Sequence, residues 1–243
     1  MEAAQTVDVL AFSPHPDDAE LYCSGTLLLL KRGGFRIGIT DLTEGELSTR
    51  GTVETRRAET ADASRILELD YRGNLRLPDG GIANTTEQRL AVVREIRSLR
   101  PRTVFLPYPH DRHPDHENAS VLVREALFAA GLRRLSTTDA GGNEQEAWRP
   151  GRSYYYMLTE EFEPQAVVDI SDVHETKFAA IRAYATQFGL DDSVDPETYI
   201  SRPEFLQSLI GRSQRLGFHV GGTYAEGFLP LHKQRFEAEW LLS

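Results

Sequence analysis

The stretch FSPHPDDAELYCSGTLLLL, residues 12–30, decides how the chain is read. An apolar run ends, a histidine, a proline and two adjacent aspartates arrive, and apolar character resumes. Neighbouring carboxylates repel each other and proline cannot continue a strand ladder, so HPDD is a costly connecting loop unless it serves a site. Just before it, VDVLAFS (7–13) is almost wholly apolar, the pattern of a strand buried on both faces. After it, residues 18–32 carry apolar Leu21, Leu27, Leu28 and Leu30 and stop at Gly33-Gly34, which predicts a helix. FRIGITDL (35–42) reads as the next strand, so the chain opens as a parallel β-α-β unit with a right-handed crossover.

The alternation continues. Residues 53–69 and 85–100 have helical apolar spacing, with YRGNLRLPDGG between them as a short strand running into a turn. TVFLP (103–107) is a clear strand, followed by the polar knot YPHDRHPDHENAS and a helix over 119–131. STTDAGGNEQEAWRPGR (136–152) reads as an exposed loop. SYYYML (153–158) and AVVDIS (166–171) predict two later strands, and 172–188 and 202–218 two later helices. The pattern implies an α/β fold in three layers around a doubly wound, mostly parallel sheet. No linker forces a division, so one domain is expected over 1–243.

Composition narrows the function. The 243 residues carry a formal net charge of −10, which disfavours a nucleic-acid partner that would want a basic face. No apolar run reaches the ~18 residues of a membrane span. Residues 1–11 lack the pattern of a secretory signal, and the single Cys23 excludes an internal disulfide framework. A cytoplasmic location is the expectation, and Cys23 itself reads as a small core residue.

Four of the seven histidines (His15, His110, His113 and His116) fall in two loops, HPDD and HDRHPDH, each just past the end of a predicted parallel strand. Ligands of such folds bind outside the carboxyl ends of the strands, so both loops open onto one edge. His15 and Asp18 are three apart, as are His113 and His116. A His, Asp, His set suits a catalytic zinc, which takes three protein ligands and leaves a fourth position open. Asp17, beside Asp18 but pointing elsewhere, is placed to take a proton from water. The plain alternatives are that an aspartate only caps the helix, or that the histidines are unrelated surface residues. Neither explains the clustering, and a metal-holding binding protein would not need Asp17. The first β–α turn reads SPHPDDAE rather than GxGxxG, which disfavours a nicotinamide cofactor.

HPDDAE and HPDH resemble the two signature motifs of the zinc-dependent de-N-acetylases of the PIG-L/LmbE family. The likeness extends through TEGELSTRGTVETRRAE (43–59), NLRLPDGGI (74–82), PYPHDRHPDHENA (107–119) and TYAEGF (223–228). It implies a Rossmann-like fold with one Zn²⁺ per chain held by His15, Asp18 and His116, and Asp17 as general base. It implies that His113 holds the oxyanion or protonates the leaving amine, oriented by Asp115. Asp111 stands where some relatives carry an oxyanion-binding tyrosine, and Ser13-Pro14 where small residues such as alanine are frequent, a departure expected to matter little. Within the family the sequence most resembles the bacillithiol-pathway enzymes that deacetylate N-acetyl-glucosaminyl-malate. A small-molecule amino-sugar conjugate is thus the expected partner, with other N-acetylglucosamine conjugates (chitobiose-like, inositol-linked or antibiotic precursors) as the alternative. Arg56 and Arg112 are the expected carboxylate binders, Glu46 a sugar-hydroxyl binder and Tyr224 a pocket wall. The resemblance also implies a homo-oligomer, a hexamer among the possibilities.

Overall fold

The computed structural model of the protein describes residues 6–192 and 194–235. The one-domain expectation for 1–243 therefore includes residues 1–5, 193 and 236–243, which lie outside the described residues. Its elements run β1 (Val9–Ser13), α1 (Asp18–Arg32), β2 (Ile37–Asp41), α2 (Val53–Ile66), β3 (Tyr71–Asn74), α3 (Thr86–Leu99), β4 (Thr103–Pro107), α4 (Pro114–Ala130), β5 (Arg152–Tyr156), β6 (Ala166–Asp169), α5 (His174–Arg182), α6 (Pro203–Val220) and β7 (Ala225–Pro230).

The strands form one seven-stranded sheet in the order β3-β2-β1-β4-β5-β7-β6. The β3-to-β5 part is parallel; β7 runs antiparallel to both β5 and β6. Alternation along β1 explains the layers. Val9 and Ala11 face a core shared with Leu27 of α1 and Phe178 of α5. Leu10 and Phe12 face the other core, with Ile96 of α3 and Leu122 of α4. Each such fully buried aliphatic contributes about 1.5–3 kcal/mol. The chain turns left from β1 to β2 and right to β4, and that divergence opens a crevice at their carboxyl ends.

The ends of α1 fit its dipole, with Asp18 and Glu20 in the first turn and Lys31 and Arg32 in the last. Three elements differ most from the sequence reading. α4 begins at Pro114 rather than 119, because proline suits the first helical position and the His113 side chain caps it by accepting from Asp115 N–H. α5 ends at Arg182 rather than 188, after a 3₁₀ turn at Ser171–Val173. The chain then bends so that Thr186 donates through its N–H and Oγ1 to Glu59. β7 has no counterpart in the sequence reading, since AEGFLP has little strand character.

β7 explains part of the TYAEGF motif. Buried Glu226 accepts from Gly25 N–H (2.9 Å), Thr26 N–H (2.8 Å), Thr26 Oγ1 (2.6 Å) and Lys177 Nζ (2.6 Å). It thereby ties β7 to α1 and α5. The approach needs a glycine, because a Cβ on Gly25 would lie 2.8 Å from Ile170 Cδ1 and 2.9 Å from Glu226 Oε1. Gly25→Ala is expected to destabilise the protein by about 1–3 kcal/mol through overpacking, read as a lowered urea midpoint with an unchanged m-value.

Candidate active site

The turns after β1 and β4 bring HPDD and HPDH to the crevice, as their placement predicts. A cavity of about 470 Å³ opens there, with His15, Asp17, Asp18, His113 and His116 among its walls. His110 does not join them; it is exposed, facing Glu117 at 3.9 Å.

Asp18 Oδ2 lies 3.2 Å from His15 Nδ1 and 3.3 Å from His116 Nε2. All three ligand atoms converge within 4.8 Å of one another. Zinc bonds of 2.0–2.1 Å at tetrahedral angles place neighbouring ligand atoms about 3.3 Å apart, which the two distances from Asp18 Oδ2 match. The remote ring nitrogens are also held. His116 Nδ1 meets Asp111 Oδ1 at 2.9 Å, and His15 Nε2 meets Asp79 Oδ1 at 3.2 Å and Asp115 Oδ2 at 3.3 Å. Such carboxylate partners fix the tautomer and orientation of ligating imidazoles.

The electrostatics favour positive charge here. Burial would raise the Asp18 carboxyl, but His116 and His15 outweigh it and hold it well below the ordinary range. Burial opposes charge on the imidazoles, yet the surrounding carboxylates lift His116 to about 9 and His15 well above its usual value. The trio thus holds cations strongly, whether protons or a metal ion, and the two compete. A second convergent set, His15, His113 and Asp115, shares His15. Its carboxylate is already engaged by Gly80 N–H (2.7 Å) and Ile82 N–H (3.3 Å).

Asp17 is not a helix cap: its side chain makes no capping hydrogen bond and its backbone sits at φ 126°, ψ −28°. That conformation favours glycine and costs on the order of 1–3 kcal/mol in any other residue. It separates two consecutive carboxylates. Burial pushes Asp17 up to about 7, against the pull of Arg56. Ser13 takes over the structural task instead. Its Oγ donates to His15 O (2.6 Å) and accepts from Ala19 N–H (3.1 Å), pinning the loop across its base. The expectation that Ser13 matters little is corrected by these two bonds.

Asp115 does touch His113, but through its backbone rather than its carboxylate. Its carboxylate faces His15, Gly80 and Ile82, while its backbone N–H donates to His113 Nδ1 at 3.3 Å. An accepting Nδ1 leaves the proton of the neutral ring on Nε2. Burial, then the charges of His15 and His116, lower His113 below the ordinary histidine value, so the Asp115 carboxylate does not keep it charged.

Arg56 is buried at the cavity wall but engaged. Nη1 donates to Pro16 O (2.6 Å) and approaches Asp17 Oδ2 (3.4 Å), and Nη2 donates to Ser48 Oγ (3.1 Å). It supports the proposed base rather than presenting an uncommitted charge. Arg112 is exposed at the cavity wall, its guanidinium 4.1 Å over the Tyr199 ring. Two expected substrate contacts fall elsewhere. Glu46 is exposed and accepts from Asp79 N–H (2.8 Å), and the cavity wall beside it is Gly45, Leu47 and Ser48. Tyr224 lies flat on His174, centroids 3.5 Å apart, because its neighbour Ala225 opens β7. Asp79 and Asp111 are the functional candidates the motif reading passed over. Each serves the nitrogen of His15 or His116 that points away from Asp18, and a search for acids near those histidines is the signal that finds them.

Similarity to known proteins agrees with this geometry. The family model for PIG-L, described as GlcNAc-PI de-N-acetylase, matches residues 10–127. The chain is 34% identical over 201 residues to the diacetylchitobiose deacetylase of Thermococcus kodakarensis, covering 75% of this chain and 71% of that protein. It is 26% identical over 197 residues to a probable N-acetyl-α-D-glucosaminyl L-malate deacetylase 2 of Bacillus subtilis, covering 74% and 82%. The crystal structure of the conserved protein TT1542 from Thermus thermophilus superposes with a TM-score of 0.84 at 40% identity, covering 96% of this chain and 98% of that one.

Asp111→Ala removes the acceptor for His116 Nδ1 without touching a ligand atom. It is expected to weaken divalent-ion binding by about 10–100-fold, measured by competition with a chromophoric chelator, with far-UV circular dichroism unchanged.

Proposed function

The chain belongs to the PIG-L family of de-N-acetylases, and from that premise we propose that it hydrolyses the acetamide of an N-acetylglucosamine conjugate with the help of one zinc ion. The observation that supports this most is Asp18 Oδ2 lying between His15 Nδ1 and His116 Nε2 at 3.2 and 3.3 Å, beside an Asp17 carboxyl pushed up to about 7. His15, Asp18 and His116 would hold the ion, which when bound polarises the amide carbonyl and acidifies the attacking water.

The remaining chemistry falls to the chain. Asp17 accepts the proton of the attacking water, a task suited to a carboxylate whose pKa lies near neutrality. Arg56 at 3.4 Å limits that rise and fixes the carboxylate in the wall. His113, held through Nδ1 by the Asp115 N–H, presents Nε2–H as a hydrogen-bond donor to the carbonyl oxygen as it gains negative charge, and the proton that Asp17 took from the water passes to the departing amine as the C–N bond breaks. One preorganised donor of this kind is worth about 3–4 kcal/mol.

The finer reading is a malate-bearing substrate. Arg112 supports it, because stacking on Tyr199 orients the guanidinium without using its N–H donors, which suits bidentate carboxylate binding. The second reading, a chitobiose-type substrate, is favoured by the 34% identity to the Thermococcus kodakarensis enzyme. Free amine released from N-acetyl-glucosaminyl-malate, N,N′-diacetylchitobiose and N-acetylglucosamine, compared at equal enzyme, decides between them. Preference for the malate conjugate, with Arg112→Ala raising KM for it alone, is the expected result. Preference for chitobiose overturns the finer reading and leaves the deacetylase reading intact. Asp17→Asn is expected to keep zinc affinity within a few-fold and to lower kcat by about 10²–10⁴; full activity would remove Asp17 from the mechanism.

A further inference from the structure

We propose that Tyr22 sets the acyl specificity of this site: its ring closes the deep end of the catalytic cavity and confines the acyl subsite to an acetyl group. The inference rests on the deacetylase reading and adds which part of the substrate the cavity floor selects.

Tyr22 follows Asp18 by one helical turn of α1, so both side chains share a face and both line the cavity. The larger apolar side chains of the lining divide by depth. Leu47 (71% exposed) and Tyr199 (47%) stand at the mouth, whereas Leu21 (4%) and Tyr22 (7%) are buried at the floor. An amide whose carbonyl sits at the ligand trio has two ends. The sugar, with its hydroxyls and conjugated group, needs the polar, open side. The acyl tail is then directed to the buried apolar side, where Leu21 and Tyr22 meet it.

Behind that floor lies a second cavity of about 30 Å³, lined in part by Met157, Phe178, Leu209 and Leu216. Leu21 and Tyr22 line both spaces and are therefore the partition between them. The partition is held rigidly. The Tyr22 ring is nearly parallel to Tyr156 at 6.5 Å, and the Arg212 guanidinium lies 5.8 Å over it. Arg212 is itself anchored to Leu158 O and Thr159 O. The Tyr22 hydroxyl stays neutral, since burial pushes it well above its ordinary value, so the ring itself bears no charge against an apolar tail. A chain longer than acetyl would have to displace this ring to reach the space behind it, whose wall adds the paired Lys177 and Glu226 to the apolar side chains.

The test is kcat/KM of the zinc-loaded enzyme on N-acetyl, N-propionyl and N-butyryl forms of one glucosamine conjugate. The wild type is expected to lose at least about tenfold per added methylene. Tyr22→Ala joins the two cavities and should raise the butyryl-to-acetyl ratio by about tenfold or more; Tyr22→Leu should do so for propionyl if the alanine variant does not fold. Tyr22→Phe, which keeps the ring, should keep the acetyl preference. Leu209→Trp in the Tyr22→Ala background should refill the space and restore it. An unchanged ratio in both truncations overturns the proposal, and so does a shift in Tyr22→Phe as large as that in Tyr22→Ala. Calorimetric binding of acetate and butyrate to the same proteins separates this from the parent reading. Loss of acetate selectivity on truncation without turnover of any amide would keep the partition and sink the deacetylase assignment. Equal acetate and butyrate affinity in the wild type would sink the partition even in an active deacetylase.

Discussion

One carboxylate oxygen, Asp18 Oδ2, stands between two imidazoles delivered by separate parts of the sheet. His15 arrives from the turn after β1 and His116 from the first turn of α4. This contact bridges the point where the strand order diverges, and each neighbouring feature answers a demand that it creates. Buried ionisable groups are costly unless they are paired. Asp79, Asp111 and Asp115 satisfy the outer nitrogens. Ser13 fixes the turn. Below, Arg72 forms a two-pronged pair with Asp41 (2.8 Å each) and also meets Glu20, which accepts from the Tyr184 hydroxyl at 2.9 Å. That network clamps the first turn of α1 to the ends of β2 and β3, and so holds Asp17 and Asp18 in place.

The sequence made the parallel half of the fold and the ligand trio readable because both rest on local signals. Residues 18–32 show a helix through apolar spacing and a Gly-Gly stop, and α1 has those bounds. Fully apolar VLAFS and TVFLP read as buried strands, and their ends locate the two loops. What escaped depends on contacts distant in the chain. β7 is a strand through its pairing with β5 and β6 rather than through its own composition. Asp79 lies 64 residues beyond His15, and only folding shows that it serves the imidazole. Tyr22 looks like one more helical residue until the space behind its ring is known.

Motif resemblance alone did not separate residues that face substrate from residues that hold the frame. HPDD and HPDH reach the cavity, whereas Glu226 and Tyr224 of TYAEGF are absorbed in joining β7 to α1 and in packing against His174. Arg56 is intermediate, since it lines the cavity while its Nη groups serve Pro16, Asp17 and Ser48. An acidic side chain in a recognised motif can thus be fixed by helix amides it must saturate rather than by any chemistry.

The backbone at Asp17 has a further meaning for how this sequence can drift. At φ 126° a glycine would relieve the strain and remove the repulsion with Asp18, but it would also remove the proposed base and leave buried Arg56 without its carboxylate. Relief of the backbone at this codon and loss of the Arg56 partner therefore pull stability in opposite directions. A stabilised descendant that keeps Asp17 must gain its margin elsewhere, in surfaces and caps remote from the crevice. The turn carries a standing tension between durability and turnover, concentrated in a single peptide unit.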